Sequence, residues 1–316
     1  MQLVLLFILP IALWMPAFIN PPEIITNKTL DMPLYDLLTY VFPTKNIVTT
    51  IVAFVIVLGQ AFLLNHILTY YELTKKNSYF PALLYMLLFS CDYRIMTLSS
   101  ILVANCFIIL SMFSFLQCYN KSEDSDQIFL TAFLIALASL FYAPFILLML
   151  WIWLGLLNFK IYAWRPILVS LLGVIAPYLV LMVIYYLNNQ IDTIINFFPQ
   201  HFVILPDFQF MNQPIQIVYM AYLLVLILPA LFYTLGYRND QKLSIRKRTS
   251  TLVLLFALSI LPLLYTINSP TMSLILSPTF AFMLTIFFFS IKRNLYANLF
   301  IGIFLLLTIA KIYINY

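Results

Sequence analysis

From Asn46 to Asn65 the chain carries no Asp, Glu, Lys or Arg. A helix of about 20 apolar residues is what crosses a hydrocarbon layer, because every backbone N–H and C=O must be bonded within the segment. Similar stretches recur near 2–19, 79–91, 98–118, 128–142, 144–159, 166–187, 215–236, 250–267, 271–290 and 295–312. This recurrence predicts an all-α fold, a polytopic transmembrane helical bundle of about eleven spans. The stretches at 79–91, 128–142 and 144–159 are short and need neighbouring helices to cover them. Met1 to Ile19 lacks the basic start of a cleaved leader and reads as a first span, with a natural N-terminus slightly further upstream. Only 9% of residues are charged and mean hydropathy is +1.02, whereas about a quarter of a soluble domain is charged. The chain therefore reads as one integral-membrane domain, 1–316.

Lys and Arg set orientation. With the N-terminus inside, twelve fall on the cytoplasmic side: Lys75, Lys76, Lys121, Lys160, Arg165, Arg238, Lys242, Arg246, Lys247, Arg248, Lys292 and Arg293. Lys28, Lys45, Arg94 and Lys311 fall outside. The bias predicts a multi-pass protein of a cytoplasmic (inner) membrane. The run Arg246-Lys247-Arg248 reads first as the cytoplasmic anchor of a span, and second as a surface for anionic lipid or a protein partner. Prolines at 10, 16, 177, 229, 262 and 278 fall within spans and bend them.

Several chemistries are excluded or disfavoured. Five glycines supply no G-x-G-x-x-G, Walker A or G-x-S-x-G motif, so a reaction would draw on an already activated substrate. Cys91, Cys106 and Cys118 have neither metal-site nor disulfide spacing and read as small apolar fillers. No charge falls near the middle of a span, which argues against an ion-driven pump. Nothing points to nucleic acid.

Two outer loops, Asn20 to Asn46 and Asn188 to Pro214, stand out in length. The first carries Glu23, Asp31 and Asp36. Within it, Leu30 to Phe42 has helical periodicity, with Leu30, Leu34, Leu37, Leu38 and Val41 on one face and Asp31, Tyr35, Asp36 and Thr39 spread over the other. Asp31 is placed to cap this helix and Pro33 suits its first turn. The pattern predicts a helix lying in the membrane interface with its acids toward water. A carboxylate there is either an ordinary solvated edge or a general base on an acceptor hydroxyl. The same group suits a divalent cation. The second loop carries Asp192, His201 and Asp207 among phenylalanines that form an anchoring belt or wall a site. His66 lies on the other side and cannot join His201. In the outer turn Cys91-Asp92-Tyr93-Arg94, the guanidinium either pairs with Asp92 or holds a phosphate.

The order of elements in the first 190 residues resembles the GT-C class of integral-membrane glycosyltransferases. The stretches that carry the likeness are Asp31 to Phe42, Tyr71 to Ser90 (YELTKKNSYFPALLYMLLFS) and Phe129 to Pro177, ending WRPILVSLLGVIAP. Phe129 to Pro177 is also similar to a family of polytopic bacterial inner-membrane proteins to which no activity is attached. The GT-C resemblance implies transfer from a polyprenyl-phosphate-linked sugar at the outer face, with the acid of the first outer loop as catalyst. Carried over, that acid is Asp31 or Asp36. The class often shows an adjacent acidic pair, and here the acids are separated. On this reading Arg94 clamps phosphate, and Asp92, Tyr35, His201 and Asp207 are further polar groups at the substrate. Residues 191–316 add C-terminal helices beyond the GT-C-like part. The alternatives are a membrane scaffold for an envelope machine, with a protein partner on the loops, and a facilitator for an amphipathic substrate.

Overall fold

The computed structural model describes residues 2–23, 32–42, 46–74, 78–119, 125–189, 214–239, 241–265, 272–291 and 294–315. Their regular elements are helices: α1 Gln2–Ile19, α2 Pro33–Val41, α3 Ile47–Tyr70, α4 Phe80–Phe89, α5 Ser100–Gln117, α6 Ser125–Ser139, α7 Met149–Asn158, α8 Trp164–Leu187, α9 Pro214–Asn239, α10 Leu243–Leu258, α11 Ile260–Leu264, α12 Met272–Ser290 and α13 Asn294–Asn315. Short 3-10 turns at Tyr93–Ile95 and Ala143–Leu148 precede α5 and α7. Among the described residues, seven helical stretches are long and apolar enough to cross a membrane: α3, α5, α8, α9, α10 continuing into α11, α12 and α13. α1 is apolar and as long as α5, while α4, α6 and the 3-10 turn with α7 are apolar but shorter.

Local chemistry sets several of the boundaries. Asn46 caps α3 by accepting from Val48 N–H at 3.1 Å, and Ser99 caps α5 by accepting from Leu102 N–H at 3.2 Å. α2 starts one residue later than its acidic pattern implies: Met32, not Asp31, is the N-cap residue, with extended backbone and no side-chain cap, and Pro33 follows it. Asp31 itself lies outside the described residues.

Helices in lipid gain little from hydrophobic transfer between one another, so close packing and polar contacts must hold the bundle. α6 and α8 approach so closely at Gly173 that a Cβ there would sit 2.6 Å from the Phe129 carbonyl oxygen and 2.9 Å from Ala132 Cβ. No small-xxx-small glycine pair advertises this seam. Gly155 of α7 likewise abuts the Phe115 ring of α5. Among the polar contacts, Gln60 of α3 donates to the Leu102 carbonyl at 2.7 Å and accepts from Tyr85 Oη of α4 at 2.7 Å, tying three helices. Pro278 cannot donate to the Leu274 carbonyl one turn back. That carbonyl instead accepts from Asn105 Nδ2 of α5 at 2.8 Å and from Ser277 Oγ at 2.7 Å. The expected bend thus comes with its own partners.

α12 and α4 form the enclosed centre, and α4 is buried along almost its whole length against α3, α12 and α1. Of the long helices described, α8 and α13 are the least buried, with Leu168, Leu172, Ile175, Leu179 and Val183 of α8 exposed as an apolar stripe suited to lipid.

Contacts divide the bundle into two ends. At one, Tyr93 Oη donates to the Asn20 carbonyl, Tyr35 Oη to Leu98, and Met32 N–H to Phe141. At the other, Tyr71 Oη donates to the Phe113 carbonyl, and the Arg248 guanidinium lies 4.6 Å from the Tyr71 ring centre and 5.3 Å from that of Tyr119. Burial pushes the Tyr71 phenol up to about 12 against the pull of Arg248, so it remains a neutral donor.

Candidate functional site

The turn between α4 and α5 holds a buried ionic cluster. Asp92 is fully buried and opens the 3-10 turn Tyr93–Ile95 by accepting from the Arg94 backbone N–H at 3.1 Å. The same Oδ1 accepts from Arg94 Nε at 3.1 Å, and Oδ2 accepts from Arg94 Nη2 at 3.0 Å. Lys311, in the last turns of α13, brings its ammonium to 3.3 Å from Oδ2. A buried carboxylate survives only with such partners, and these four donors occupy both of its oxygens.

The two cations differ in exposure. The Lys311 side chain is 4% exposed and lies over the Tyr219 ring of α9, 4.6 Å from its centre. The Arg94 side chain is 36% exposed and keeps an open edge. Locally, two positive charges meet one negative. Cys91 Sγ lies 3.1 Å from Ser273 Oγ of α12, continuing the polar cluster inward. The buried Tyr219 hydroxyl sits beside Cys91 without hydrogen-bond geometry to any described residue.

Two apolar clefts flank this cluster. One, of about 280 Å³, lies between Leu9, Leu13 and Pro16 of α1 and Leu305, Ile309 and Ile312 of α13. The Tyr93–Ile95 turn touches both of these helices, and Lys311 adjoins the wall residue Ile312. The other, of about 360 Å³, runs between α9 and α10–α11 over Ser273, Leu276 and Phe280 of α12. Its wall residue Met220 follows Tyr219, and Ser273 joins it to Cys91. Comparison with family models, curated proteins and solved structures finds no match for this chain. The chemistry of the cluster is the guide that remains. A half-open guanidinium over a buried ion pair, beside apolar clefts, is suited to an anion carrying an apolar chain.

The sequence candidates fall in different places. Asp92 and Arg94 come together. Tyr35 turns inward rather than to water: it is fully buried and its hydroxyl donates to Leu98 at 3.0 Å, four residues beyond Arg94. α2 therefore docks through Met32, Pro33 and Tyr35, and it leaves Leu37, Tyr40 and Val41 exposed beside Asp36. Asp36 sits in the first turn of α2, where the helix dipole favours a carboxylate, and within electrostatic range of Tyr185 near the end of α8. Asp31, His201 and Asp207 lie outside the described residues. Among the described residues no three His, Cys, Asp or Glu side chains gather as a metal site. Cys91 and Cys118 are buried, Cys106 is half-buried, and all three are free thiols.

Lys311 is the participant that sequence reading did not place in the site. It is the sole cation in 295–312 and lies near the end of that stretch, which marks it as unusual. Nothing in the sequence pairs it with Asp92, more than two hundred residues away.

Proposed function

We propose that the chain is an outer-face transferase acting on a polyprenyl-phosphate-linked sugar or a related lipid phosphate. The observation that carries this reading is the Asp92–Arg94–Lys311 cluster, cationic by one charge, beside the α1–α13 cleft. The cleft takes part of the apolar chain, and the open edge of Arg94 takes a phosphate oxygen. Arg94 remains in its fork with Asp92, and Lys311 adds a fixed positive charge behind it. Asp36 stands at the same end on α2 and serves as base. Its carboxylate removes the acceptor hydroxyl proton as the acceptor oxygen bonds to the sugar carbon. The lipid phosphate leaves with the electrons of the broken C–O bond, and its charge is met at Arg94.

This reading includes an N-terminus inside, eleven crossings and the Asp92 end outside. The twelve-to-four division of cations supports that orientation. The pairing of chain positions at the two ends fits it, since Asn20, Tyr93 and Lys311 meet at one end and Tyr71, Tyr119 and Arg248 at the other.

A polyprenyl phosphate bearing a photoactivatable diazirine tests the site in native membranes. Label is expected on the peptides containing Leu9–Pro16 and Leu305–Tyr313, competed by unlabelled polyprenyl phosphate and lost in R94Q. D36N should keep the label and lose transfer. Label that resists competition, or that lies on other helices, refutes the assignment.

A further inference from the structure

The opposite end of the bundle carries a second concentration of charge that the transferase reading does not use. The stretch 238–248 holds Arg238, Lys242, Arg246, Lys247 and Arg248 against a single acid, Asp240. The fold draws these cations together. Lys160, Arg246 and Arg238 all lie within electrostatic range of the Lys247 ammonium. No carboxylate among the described residues forms an ion pair with any of these four.

The cluster is built rather than loosely gathered. Lys247 Nζ donates to the Asn158 carbonyl, and Asn158 Nδ2 returns bonds to the Lys247 carbonyl at 3.0 Å and Thr251 Oγ1 at 2.9 Å. Arg238 Nη1 donates to Ser250 Oγ at 3.1 Å, while its buried Nε has no hydrogen-bond partner among the described residues. Lys160 follows α7 with a positive φ of 64°, a conformation that favours glycine. The Ile161 N–H to Leu156 carbonyl bond, at 3.0 Å, closes the helix end around it. Arg248 is different, being engaged by the rings of Tyr71 and Tyr119 and by the Leu116 carbonyl.

These cations oppose both one another and the helix they sit on. Lys242 is the N-cap residue of α10 and Arg246 lies in its first turn, where the helix dipole disfavours positive charge. An anion between α7, α9 and α10 relieves both conflicts at once. The depth of the cluster says which anion. Tyr162 and Trp164, two and four residues after Lys160, are 72% and 74% exposed, and such aromatics settle at the level of lipid headgroups. Leu157 and Leu243 are exposed beside them, giving apolar surface for an acyl chain.

We propose that Lys160, Arg238, Arg246 and Lys247 form a binding site for the phosphate headgroup of an anionic membrane lipid. This site is separate from the Asp92 cluster and does not rest on the transferase reading. Arg246 and Lys160 are exposed and reach the phosphate first, while Lys247 and Arg238 are held by the bundle and fix its position.

The purified full-length protein, delipidated in mild detergent, tests this by native mass spectrometry with phosphatidylglycerol, phosphatidylcholine or inorganic phosphate added. Retention of phosphatidylglycerol should exceed that of phosphatidylcholine by roughly tenfold or more. R238Q/R246Q should lose that preference while its lipid-free melting temperature stays near that of the parent. R246Q alone, altering an exposed side chain, should weaken retention by a smaller factor. Equal retention of the two lipids, or an unchanged preference in both variants, overturns the site. Displacement of phosphatidylglycerol by millimolar inorganic phosphate assigns the cluster to a soluble anion and overturns the lipid assignment.

Discussion

Asp92→Asn is the sharpest perturbation the structure offers. The substitution keeps shape and removes charge, leaving the Lys311 ammonium 4% exposed with no carboxylate beside it among the described residues and Arg94 as a like-charged neighbour. At the 3.3 Å separation of Lys311 and Asp92, opposite charges attract by about 5 kcal/mol for an effective dielectric constant near 20. Desolvation of each ion offsets several kcal/mol of that attraction, so the net value of the pair is small, but the orphaned ion keeps its full penalty. Removing one partner of a buried pair costs about 3–5 kcal/mol, and that is the loss expected for D92N. K311M should cost less, because Asp92 keeps its fork to Arg94. In D92N/K311M no buried charge is stranded, and the double variant should be more stable than D92N. Cys91 and Cys118 are buried free thiols, so a thiol-reactive fluorescent dye reports unfolding in mixed micelles of mild detergent and dodecyl sulfate. A D92N variant within about 0.5 kcal/mol of the parent refutes the reasoning, as does simple additivity in the double variant.

Two further outcomes follow from the packing. Gly173→Ala places a methyl against the Phe129 carbonyl and Ala132 Cβ, backbone and near-backbone atoms that cannot swing away, and should cost about 1–3 kcal/mol in the same assay. An equally stable variant would show that α6 and α8 are not locked at that seam. Gln60→Leu removes the acceptor for Tyr85 and the donor to Leu102, with an expected loss of about 1–2 kcal/mol that Tyr85→Phe in the same chain partly restores. No recovery in the double variant would separate Tyr85 from the Gln60 contact.

Much of the architecture was legible because period and polarity are local properties. The span expected at 98–118 is α5, Ser100–Gln117, and the helix expected at 30–42 is α2, Pro33–Val41. α3 outruns its expected end at Asn65 and continues to Tyr70, because His66 and Thr69 interrupt hydropathy without interrupting a helix. The faces of α2 were misread for a related reason. Tyr35 counts as polar in a pattern, yet its ring fills a gap and its single hydroxyl finds the Leu98 carbonyl. The Asp92–Arg94 fork was one of two readings open from sequence, since two residues of separation allow it. Lys311 and Ser273 were illegible there, because only the folded bundle brings α12 and α13 to the α4–α5 turn. Asp31, His201 and Asp207 lie outside the described residues.

α4 has a consequence for how the protein is made. Its ten residues rise about 15 Å, half the thickness of a hydrocarbon core, and its sides are closed by α1, α3 and α12. A segment so short is a poor candidate to settle across a bilayer when it leaves the ribosome. The helix that packs on it most extensively, α12, begins at Met272 and is synthesised roughly 10–40 s later at ordinary elongation rates. Until then Cys91 lacks Ser273, and until α13 follows, Asp92 lacks Lys311. The Asp92 cluster is therefore assembled late in biogenesis, when the C-terminal helices close over a segment that has waited for them.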